Sequence, residues 1–378
     1  MASRVLIVGG GPAGSACGIT TAKSGLETVL FEKDDQYREK VCGDGLIYDA
    51  QVALKRLGVF DEVRNKAKEI LNVRIYGRGK TEFALSVPCY TLQRKYLDQI
   101  LRNELINCGG TVKYKTKIRD VHITDNKIDL IDNNNLHHAG DILVLATGVN
   151  TSLAQKIGFE IDGKAIPSIR GYALNHCAFN EYTLWFDQKA PPSYGWVFPC
   201  PGNLINVGYY MSSKEGNVRD LFERFLNTKV KEKMGSLEFI EPPKGSGLRV
   251  GFRNKMNYGN RVILVGENIN STYSLLGEGI GNALRTGIIA GETIGSLKGN
   301  FGAEDLRSYQ EKVIRELSAH SHGQEKARQI LATGLGNWFF SHLLQKSERA
   351  RSLLIAVMKE ELSPEQVFSF KGIIRSIF

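Results

Sequence analysis

Apolar residues along this chain occur both in continuous runs and in alternating patterns, and the two arrangements predict different kinds of strand. Near the N-terminus, the segments 4–8 and 28–31 are apolar after their first residue and show no alternation. Such runs are typical of strands buried on both faces of a parallel sheet. The stretch between them, 13–24, favours a helix, so the chain is predicted to begin with a β-α-β unit.

The buried-strand pattern returns twice at larger sequence separation. It covers 141–146 and 261–265, and the second run precedes a glycine-rich helix that we expect to reach about residue 293. Residues 91–107 also favour a helix, whereas 33–90 show no single dominant pattern. The parallel sheet is therefore predicted to draw its strands from distant parts of the chain.

The middle and the end of the chain differ in character. Residues 151–250 contain seven of the ten prolines, and short alternating segments cover 182–187, 194–199 and 204–211. This pattern predicts an antiparallel sheet inserted between segments of the parallel sheet. The final stretch, 303–378, mixes acidic, basic and apolar residues and is predicted to be helical.

A glycine pattern joins the first strand to the first helix. Gly9, Gly11 and Gly14 form GxGxxG, and Glu32 ends the next strand about 20 residues later, as a dinucleotide-binding fingerprint requires. Gly9 permits the tight turn, Gly11 admits a pyrophosphate to the backbone, and Gly14 brings the helix close to the sheet. Glu32 can bind both ribose hydroxyls and would repel a 2′-phosphate, which favours FAD or NAD over NADP.

Three further segments are candidates for cofactor contact. Arg94 lies near the start of the predicted helix over 91–107 and could pair with phosphate through two hydrogen bonds, or be a solvated arginine at a helix end. The segment 146–148 follows a buried strand and offers close backbone approach.

The third segment, 277–279, precedes a helix in which small residues recur at every fourth position, up to Gly291. A flat ligand or a neighbouring backbone must lie against this face.

Four sequence blocks together resemble the FAD-dependent geranylgeranyl reductase family, within the hydroxylase-type flavoproteins. They are VGGGPAG with Glu32, RxKVCGDG at 38–45, PPSYGWVFP at 191–199 and GEGIxxALRTG at 277–287. Many flavin hydroxylases and halogenases share the first and last blocks, whereas the second and third narrow the choice. The family pattern PxxYxWxFP is met at Pro191, Tyr194, Trp196, Phe198 and Pro199.

The motifs and the resemblance together assign a set of residues to FAD. The expected cofactor-binding residues are Gly9, Gly11, Pro12, Ala13, Gly14, Glu32, Lys33, Lys40, Cys42, Gly43, Arg94, Ala146, Thr147, Gly148, Gly266, Glu267, Gly277, Gly279 and Ile280. One segment departs from the family, which has GD and small residues after the third strand. Here Glu267 could still bind a ribityl hydroxyl, but the bulky Ile269 and Asn270 could shift the loop.

The resulting fold prediction is α/β, with a Rossmann-like FAD-binding domain, an inserted antiparallel-sheet substrate domain and a helical C-terminal region. The FAD-binding domain is expected to be discontinuous, over 1–150 and 251–300. The substrate domain is expected over 151–250, with part of 70–90 joining it, and the helical region over 301–378.

The implied reaction is hydrogenation of a carbon–carbon double bond, with hydride from reduced flavin and a proton from an acid. A prenyl olefin does not stabilise a carbanion, so protonation must lead or be concerted. The resemblance places Cys42 near the flavin ring as a candidate catalytic group, although buried cysteines are usually inert. Tyr194, Trp196 and Phe198 alternate on one strand and form either a substrate platform or an ordinary aromatic core.

Charge and composition bear on the binding partners and the cellular location that are expected. The formal net charge is +9, which fits a solvated basic surface or an anionic membrane surface, and clustered bases that would indicate nucleic-acid binding are missing. The six cysteines are widely spaced, and the sequence begins without a signal-peptide pattern, so a cytoplasmic location is expected. The apolar stretch 368–378 could contact a bilayer or dock onto the core.

The leading hypothesis is thus an FAD-dependent reductase of isoprenoid double bonds. One alternative is a flavin monooxygenase, a hydroxylase or epoxidase that acts on an apolar natural product; another is a lipid-binding protein with impaired flavin chemistry. A second GxGxxG is missing from the sequence. The electron donor is therefore expected to bind transiently, as NAD(P)H or a reduced electron-transfer protein.

Overall fold

The computed structural model describes residues 2–77, 82–163, 165–212 and 216–367. The strands in these ranges are β1 (Arg4–Val8), β2 (Glu27–Phe31), β3 (Gly45–Leu46), β4 (Lys68–Tyr76), β5 (Glu82–Thr91), β6 (Thr111–Lys113), β7 (Ile118–Ile123), β8 (Ile128–Asp132), β9 (His137–Gly140), β10 (Ile142–Leu145), β11 (Ile166–Leu174), β12 (Tyr182–Phe186), β13 (Tyr194–Cys200), β14 (Leu204–Tyr210), β15 (Lys244–Leu248), β16 (Tyr258–Gly259) and β17 (Val262–Leu264).

Helices surround these strands. The α-helices are α1 (Pro12–Lys23), α2 (Tyr48–Leu57), α3 (Phe60–Lys66), α4 (Arg94–Asn107), α5 (Ser152–Lys156), α6 (Val218–Phe225), α7 (Lys231–Met234), α8 (Ile280–Ser296), α9 (Ala303–Ala332), α10 (Gly334–Lys346), α11 (Glu348–Met358) and α12 (Pro364–Val367). A π-helical turn, Leu226–Val230, joins α6 to α7, and a 3₁₀ turn, Gly266–Ile269, follows β17. None of the helices in the described ranges is long and apolar enough to span a membrane.

The apolar runs form a six-stranded sheet with the strand order β16-β17-β10-β1-β2-β6. β1 pairs in parallel with β2 and β10, and β10 pairs in parallel with β17. Val5, Leu6 and Ile7 are fully buried, which explains why these strands lack alternation. The Rossmann-like arrangement predicted from the sequence is confirmed, and the carboxyl ends of β1, β2, β10 and β17 lie at one edge of the sheet.

An eight-stranded sheet, with the order β15-β11-β14-β13-β12-β4-β5-β3, is mostly antiparallel. Its strands come from 166–248 but also from 45–46 and 68–91, because β12 pairs in parallel with β4. One face packs against α6, where Phe222 and Phe225 are buried. The helical segment α6–α7 is an addition to the antiparallel sheet predicted for this region.

Two predicted boundaries differ from the structure. The helix predicted over 91–107 begins at Arg94, because Thr91 belongs to β5 and pairs with Gly45. The predicted C-terminal helical region is divided into α9, α10, α11 and α12, and the apolar stretch 368–378 lies outside the described residues.

Candidate active site

The turn between β1 and α1 forms a cradle at the edge of the parallel sheet. Gly9 has a φ of +110°, a conformation that glycine adopts without strain. A Cβ on Gly14 would lie 2.0 Å from the Gly9 carbonyl oxygen, so α1 can approach the turn only with glycine there. The first two glycines of the motif also line the main cavity, whereas Gly14 packs beneath them.

Glu32, at the end of β2, is buried and already accepts two backbone hydrogen bonds. Its Oε2 accepts from the Gly10 amide at 2.8 Å, and its Oε1 accepts from the Asp34 amide at 3.0 Å. Each carboxylate oxygen has a further lone pair, so the group can also accept from ribose hydroxyls. Glu32 therefore links the turn after β1 to the segment after β2, and it lines the cavity.

Two guanidinium groups lie beside the glycine turn. A Cβ built on Gly11 would lie 3.1 Å from an Arg38 nitrogen and 3.7 Å from an Arg94 nitrogen. Asp98 holds both side chains: Arg94 donates to it at 2.9 and 3.0 Å, and the Arg38 Nε donates at 3.1 Å.

Asp98 thus occupies the paired donors of Arg94 that the sequence assigned to phosphate. The combined positive charge of Arg38 and Arg94 still suits a pyrophosphate at Gly11. The sequence prediction did not include Arg38, although it is the first residue of the RxKVCGDG block.

The segment that contains Cys42 lies flat against aromatic rings of β12 and β13. A Cβ on Gly43 would lie 3.1 Å from the Phe198 ring, and one on Gly45 would lie 2.2 Å from the Tyr182 hydroxyl. Tyr182 itself stacks on Phe198, with ring centroids 3.5 Å apart. The glycines in this block are therefore required by the close approach of the segment to these aromatic rings.

A buried polar network fixes the same segment. Asn206 on β14 donates to the Cys42 carbonyl and to the Asp44 carboxylate, both at 2.8 Å, and accepts from the Trp196 indole at 2.8 Å. Tyr172 also donates to Asp44. Burial raises the pKa of Asp44 to about 6, although these hydrogen bonds and nearby arginines act in the opposite direction. Sequence reasoning missed Asn206 and Tyr172, because nothing local marks their partners.

Cys42 lines the cavity with its thiol protonated at neutral pH. Burial raises its pKa above the usual thiol value, while the neighbouring Arg94 guanidinium lowers it in part. The Asp44 amide donates to its Sγ at 3.4 Å. The geometry therefore gives Cys42 the character of a small neutral group beside the cavity.

The loop after β17 is the segment that departs from the family sequence. Hydrogen bonds to neighbouring segments hold it in place. Asn268 accepts from the Thr147 amide at 2.9 Å and thereby joins this loop to the segment 146–148. Ile269 is buried in the core, and Asn270 donates to the Asp162 carbonyl at 3.1 Å. Glu267 lies 3.7 Å from Lys40 at the cavity wall. The two bulky residues thus point away from the cavity.

The later residues of the small-residue stripe on α8 pack against α1, whereas Ala283 near the start of the helix lines the cavity. A Cβ on Gly287 would lie 2.1 Å from the Ala13 carbonyl oxygen, and one on Gly291 would lie 2.6 Å from the Thr20 Cβ. Of the two explanations for this stripe, a ligand or a neighbouring backbone, the structure favours the backbone of α1. Only the first residues of the segment, including Gly277, Gly279 and Ile280, line the cavity.

A single cavity of about 880 Å³ brings these groups together. Every predicted cofactor and aromatic residue except Gly14 lines it, including Lys33 at the dinucleotide end and Tyr194, Trp196 and Phe198 at the other. The second end is a chamber with apolar walls from the eight-stranded sheet and the C-terminal helices. Its apolar lining includes Val73, Ile75, Phe83, Tyr182, Leu184, Phe186, Tyr210, Leu331, Phe340, Leu344, Leu354 and Met358.

Comparison with known proteins agrees with this geometry. The family described as FAD binding domain matches residues 2–312, so the chain belongs to that family. It is an FAD-dependent oxidoreductase, as the sequence predicted. The residues present fit the cofactor, since a side chain on Gly11 would enter the space beside Arg38 and Arg94, and these two arginines can balance the charge of phosphates there.

Several relatives are named as reductases, which confirms the predicted resemblance. The chain is 27% identical over 329 residues to digeranylgeranylglycerophospholipid reductase 2 of Methanococcoides burtonii, covering 81% of this chain and 79% of that protein. It is 26% identical over 357 residues to menaquinone reductase of Mycolicibacterium smegmatis, covering 87% and 84% of the two chains.

Solved structures confirm the fold. A geranylgeranyl bacteriochlorophyll reductase-like protein from Thermoplasma acidophilum gives a TM-score of 0.79 at 21% identity, covering 100% of this chain and 96% of that one. The halogenase PltM in complex with phloroglucinol and FAD gives a TM-score of 0.75 at 14% identity, covering 99% and 85%. At these identities the likeness concerns the architecture alone.

Proposed function

We propose that this oxidoreductase hydrogenates carbon–carbon double bonds of an isoprenoid lipid. The observation that carries the proposal is the continuity of the cavity, from the dinucleotide cradle at β1 to an apolar chamber walled by aromatic and aliphatic side chains. A long apolar chain held in that chamber would meet the end of the cofactor site without passing through solvent. The names of two similar proteins, which contain geranylgeranyl, support this substrate class.

The chain's own residues supply binding, orientation and exclusion of water. Bound reduced FAD supplies a hydride for transfer to carbon. Tyr194, Trp196 and Phe198 lie on one face of β13 and form an aromatic wall of this cavity. The Asn206 network holds the Cys42 segment against that wall. Cys42 is thereby placed to pack against the ring or the substrate, which is the role that we propose for it.

The reducing equivalents must come from outside the chain. Only one GxGxxG is present in the sequence, at the FAD site. We infer a transient donor, NAD(P)H or a reduced electron-transfer protein. Peripheral contact with a membrane would deliver a lipid substrate, and the net charge of +9 suits an anionic surface.

Product mass tests the proposal. FAD-loaded protein is reduced with dithionite under anaerobic conditions and incubated with a geranylgeranyl-substituted glycerophospholipid. Addition of two hydrogens per double bond is expected, and the same protein with oxidised FAD serves as the control. A bleached, correctly bound flavin that leaves every prenyl substrate unchanged would overturn the proposal. Substrate-dependent oxygen uptake with incorporation of one oxygen atom would identify a monooxygenase instead.

A further inference from the structure

Glu278 is an acid in the cavity to which sequence reasoning assigned no role. It lies between Gly277, which has a φ of +65°, and Gly279, which precedes α8. A Cβ on Gly277 would lie 3.5 Å from the Tyr210 ring and 3.7 Å from the Tyr194 hydroxyl, so this loop rests on the aromatic wall. The Glu278 carboxyl makes no hydrogen bond or ion pair with the residues that the structure describes.

Glu278 lies at the junction of two cavities. It lines the main chamber, and it also lines a second cavity of about 60 Å³ behind the loop. The second cavity has a polar side, formed by Asp49, Tyr273, His320, Gln324 and Glu360. Its volume admits one or two water molecules, for which those side chains are suitable partners. One carboxyl group thus lies between the apolar chamber and a small second cavity that has polar side chains along one side.

The charged neighbours of Glu278 come from several elements and are paired with one another. Asp49 on α2 lies 3.4 Å from Arg285 on α8, and Glu360 after α11 lies 2.8 Å from the same guanidinium. Glu316 on α9 lies 3.3 Å from Arg285 as well. Tyr182, Tyr194 and Cys89 face Glu278 from the eight-stranded sheet, and burial raises the pKa of each above its usual value.

This environment keeps Glu278 neutral. Burial raises its pKa to about 8, and the nearby carboxylates of Asp49 and Glu360 add to the effect. A glutamic acid that is protonated at pH 7 carries an acidic O–H directly beside the chamber. The thiol of Cys42 is the weaker acid of the two, because burial raises its pKa above the ordinary thiol value.

We propose that Glu278 donates the proton in the reduction of the double bond. The O–H bond of its carboxyl group breaks as a C–H bond forms on one olefinic carbon, and the other carbon receives the hydride that bound reduced FAD supplies. The carboxylate left behind is reprotonated from water in the second cavity. This inference rests on the proposed reductase function.

The test uses the FAD-loaded full chain and the variants Glu278→Gln, Glu278→Asp and Glu292→Gln. Glu292 is the matched control, because it lies on α8, the helix that follows Glu278, but is exposed and paired with Arg56. In Glu278→Gln, we expect the rate of prenyl reduction to fall at least about 100-fold, since general acids contribute roughly 10²–10⁴. Binding of FAD and its reduction by dithionite should match the wild type.

The pH profile and an infrared titration separate proton donation from a structural role. The acid must be protonated to act, so the wild-type rate should be constant below pH 8 and fall about tenfold per unit above it. Infrared difference spectra of the same protein should show a protonated-carboxyl band that titrates with that pKa. The band should be absent in Glu278→Gln, retained in Glu292→Gln and shifted in Glu278→Asp.

The outcomes distinguish the two proposals. A Glu278→Gln variant that reduces substrate at the wild-type rate would overturn the role of Glu278 and leave the reductase function intact. A wild-type protein that reduces no prenyl substrate would overturn both. Absence of the titrating band in folded wild-type protein would also reject Glu278 as the acid, whatever the rates.

Discussion

At the scale of single residues, Glu32 is a proposed cofactor-binding residue that also contributes to the fold. Its carboxylate accepts backbone hydrogen bonds from Gly10 and Asp34, and it is almost fully buried at the cavity edge. Arg38 lies 3.9 Å away and balances the charge. These contacts alone favour an acidic residue at position 32, without any contribution from a ribose.

Replacing Glu32 with alanine should weaken FAD binding about tenfold to a hundredfold. The reason is the loss of charge-assisted hydrogen bonds, each worth about 1.5–3 kcal/mol. Fluorescence quenching during titration with FAD measures the change. Glu27→Ala is the control, since Glu27 lies at the other end of β2 but is exposed and pairs with Arg4. Equal affinities of the two variants would contradict the role assigned to Glu32.

The sequence predicted residues whose role follows from a local motif. It did not predict residues whose role depends on contacts with residues distant in sequence. Gly9, Gly11 and Glu32 could be assigned to a dinucleotide site because turn, helix and strand follow one another in a fixed order. Arg38 depends on Asp98, sixty positions away, and Glu278 depends on Asp49 and Glu360. Such contacts are set by tertiary packing and leave no periodic signal.

At the scale of elements, the packing of α8 on α1 positions the cofactor turn. Both helices present small residues, and the backbone of α1 at Ala13 touches α8 at Gly287. The same part of α1 carries the third glycine of the cradle. Any change that separates the two helices would therefore displace the cradle.

We expect Gly287→Ala to lower the free energy of unfolding by about 1–3 kcal/mol, the usual cost of overpacking. The new methyl would lie 2.1 Å from the Ala13 carbonyl oxygen. In Gly295→Ala, on the same helix, the methyl would meet only the Ser24 side chain, at 2.7 Å from its Oγ. That control should stay within about 1 kcal/mol of the wild type, because alanine favours helix. Chemical denaturation of both variants provides the comparison, and a fully stable Gly287→Ala would contradict it.

The elements that were predicted best are the fully buried strands. β1, β2, β10 and β17 coincide with continuous apolar runs, whose pattern is set by burial on both faces. β5 was predicted only as part of the segment 70–90 that joins the second sheet, without strand limits of its own, since it contains Pro88 and is followed closely by α4. The predicted domain limits over 1–150, 151–250 and 251–300 stay a prediction, and β4 and β5 lie in the eight-stranded sheet.

At the scale of the whole molecule, the chamber depends on three separate parts of the chain. The eight-stranded sheet contributes its aromatic face, the loop before α8 contributes Glu278, and α10 and α11 contribute Phe340, Leu344 and Leu354. The far apolar end is thus formed by the C-terminal helices. Substrate length is expected to be limited there.

Replacing Leu354 with tryptophan should shorten the usable chamber. We expect kcat/KM for a long prenyl chain to fall about tenfold or more relative to a shorter one, because pocket volume at this level is worth roughly 1–3 kcal/mol. Leu353→Trp is the control. Leu353 is the neighbour of Leu354 on α11, but it does not line the cavity in the described structure. Identical length preferences in the two variants would place the end of the chamber elsewhere.

The parallel sheet also has a consequence for biosynthesis. Its central strands β1 and β10 are synthesised long before β17, which pairs with β10, and α8 follows β17 along the chain. A nascent polypeptide on the ribosome therefore exposes the glycine turn well before the partners that complete the flavin pocket have emerged. The yellow flavin is consequently expected to bind late in synthesis. Chains that terminate before α8 should leave the ribosome without it and be colourless.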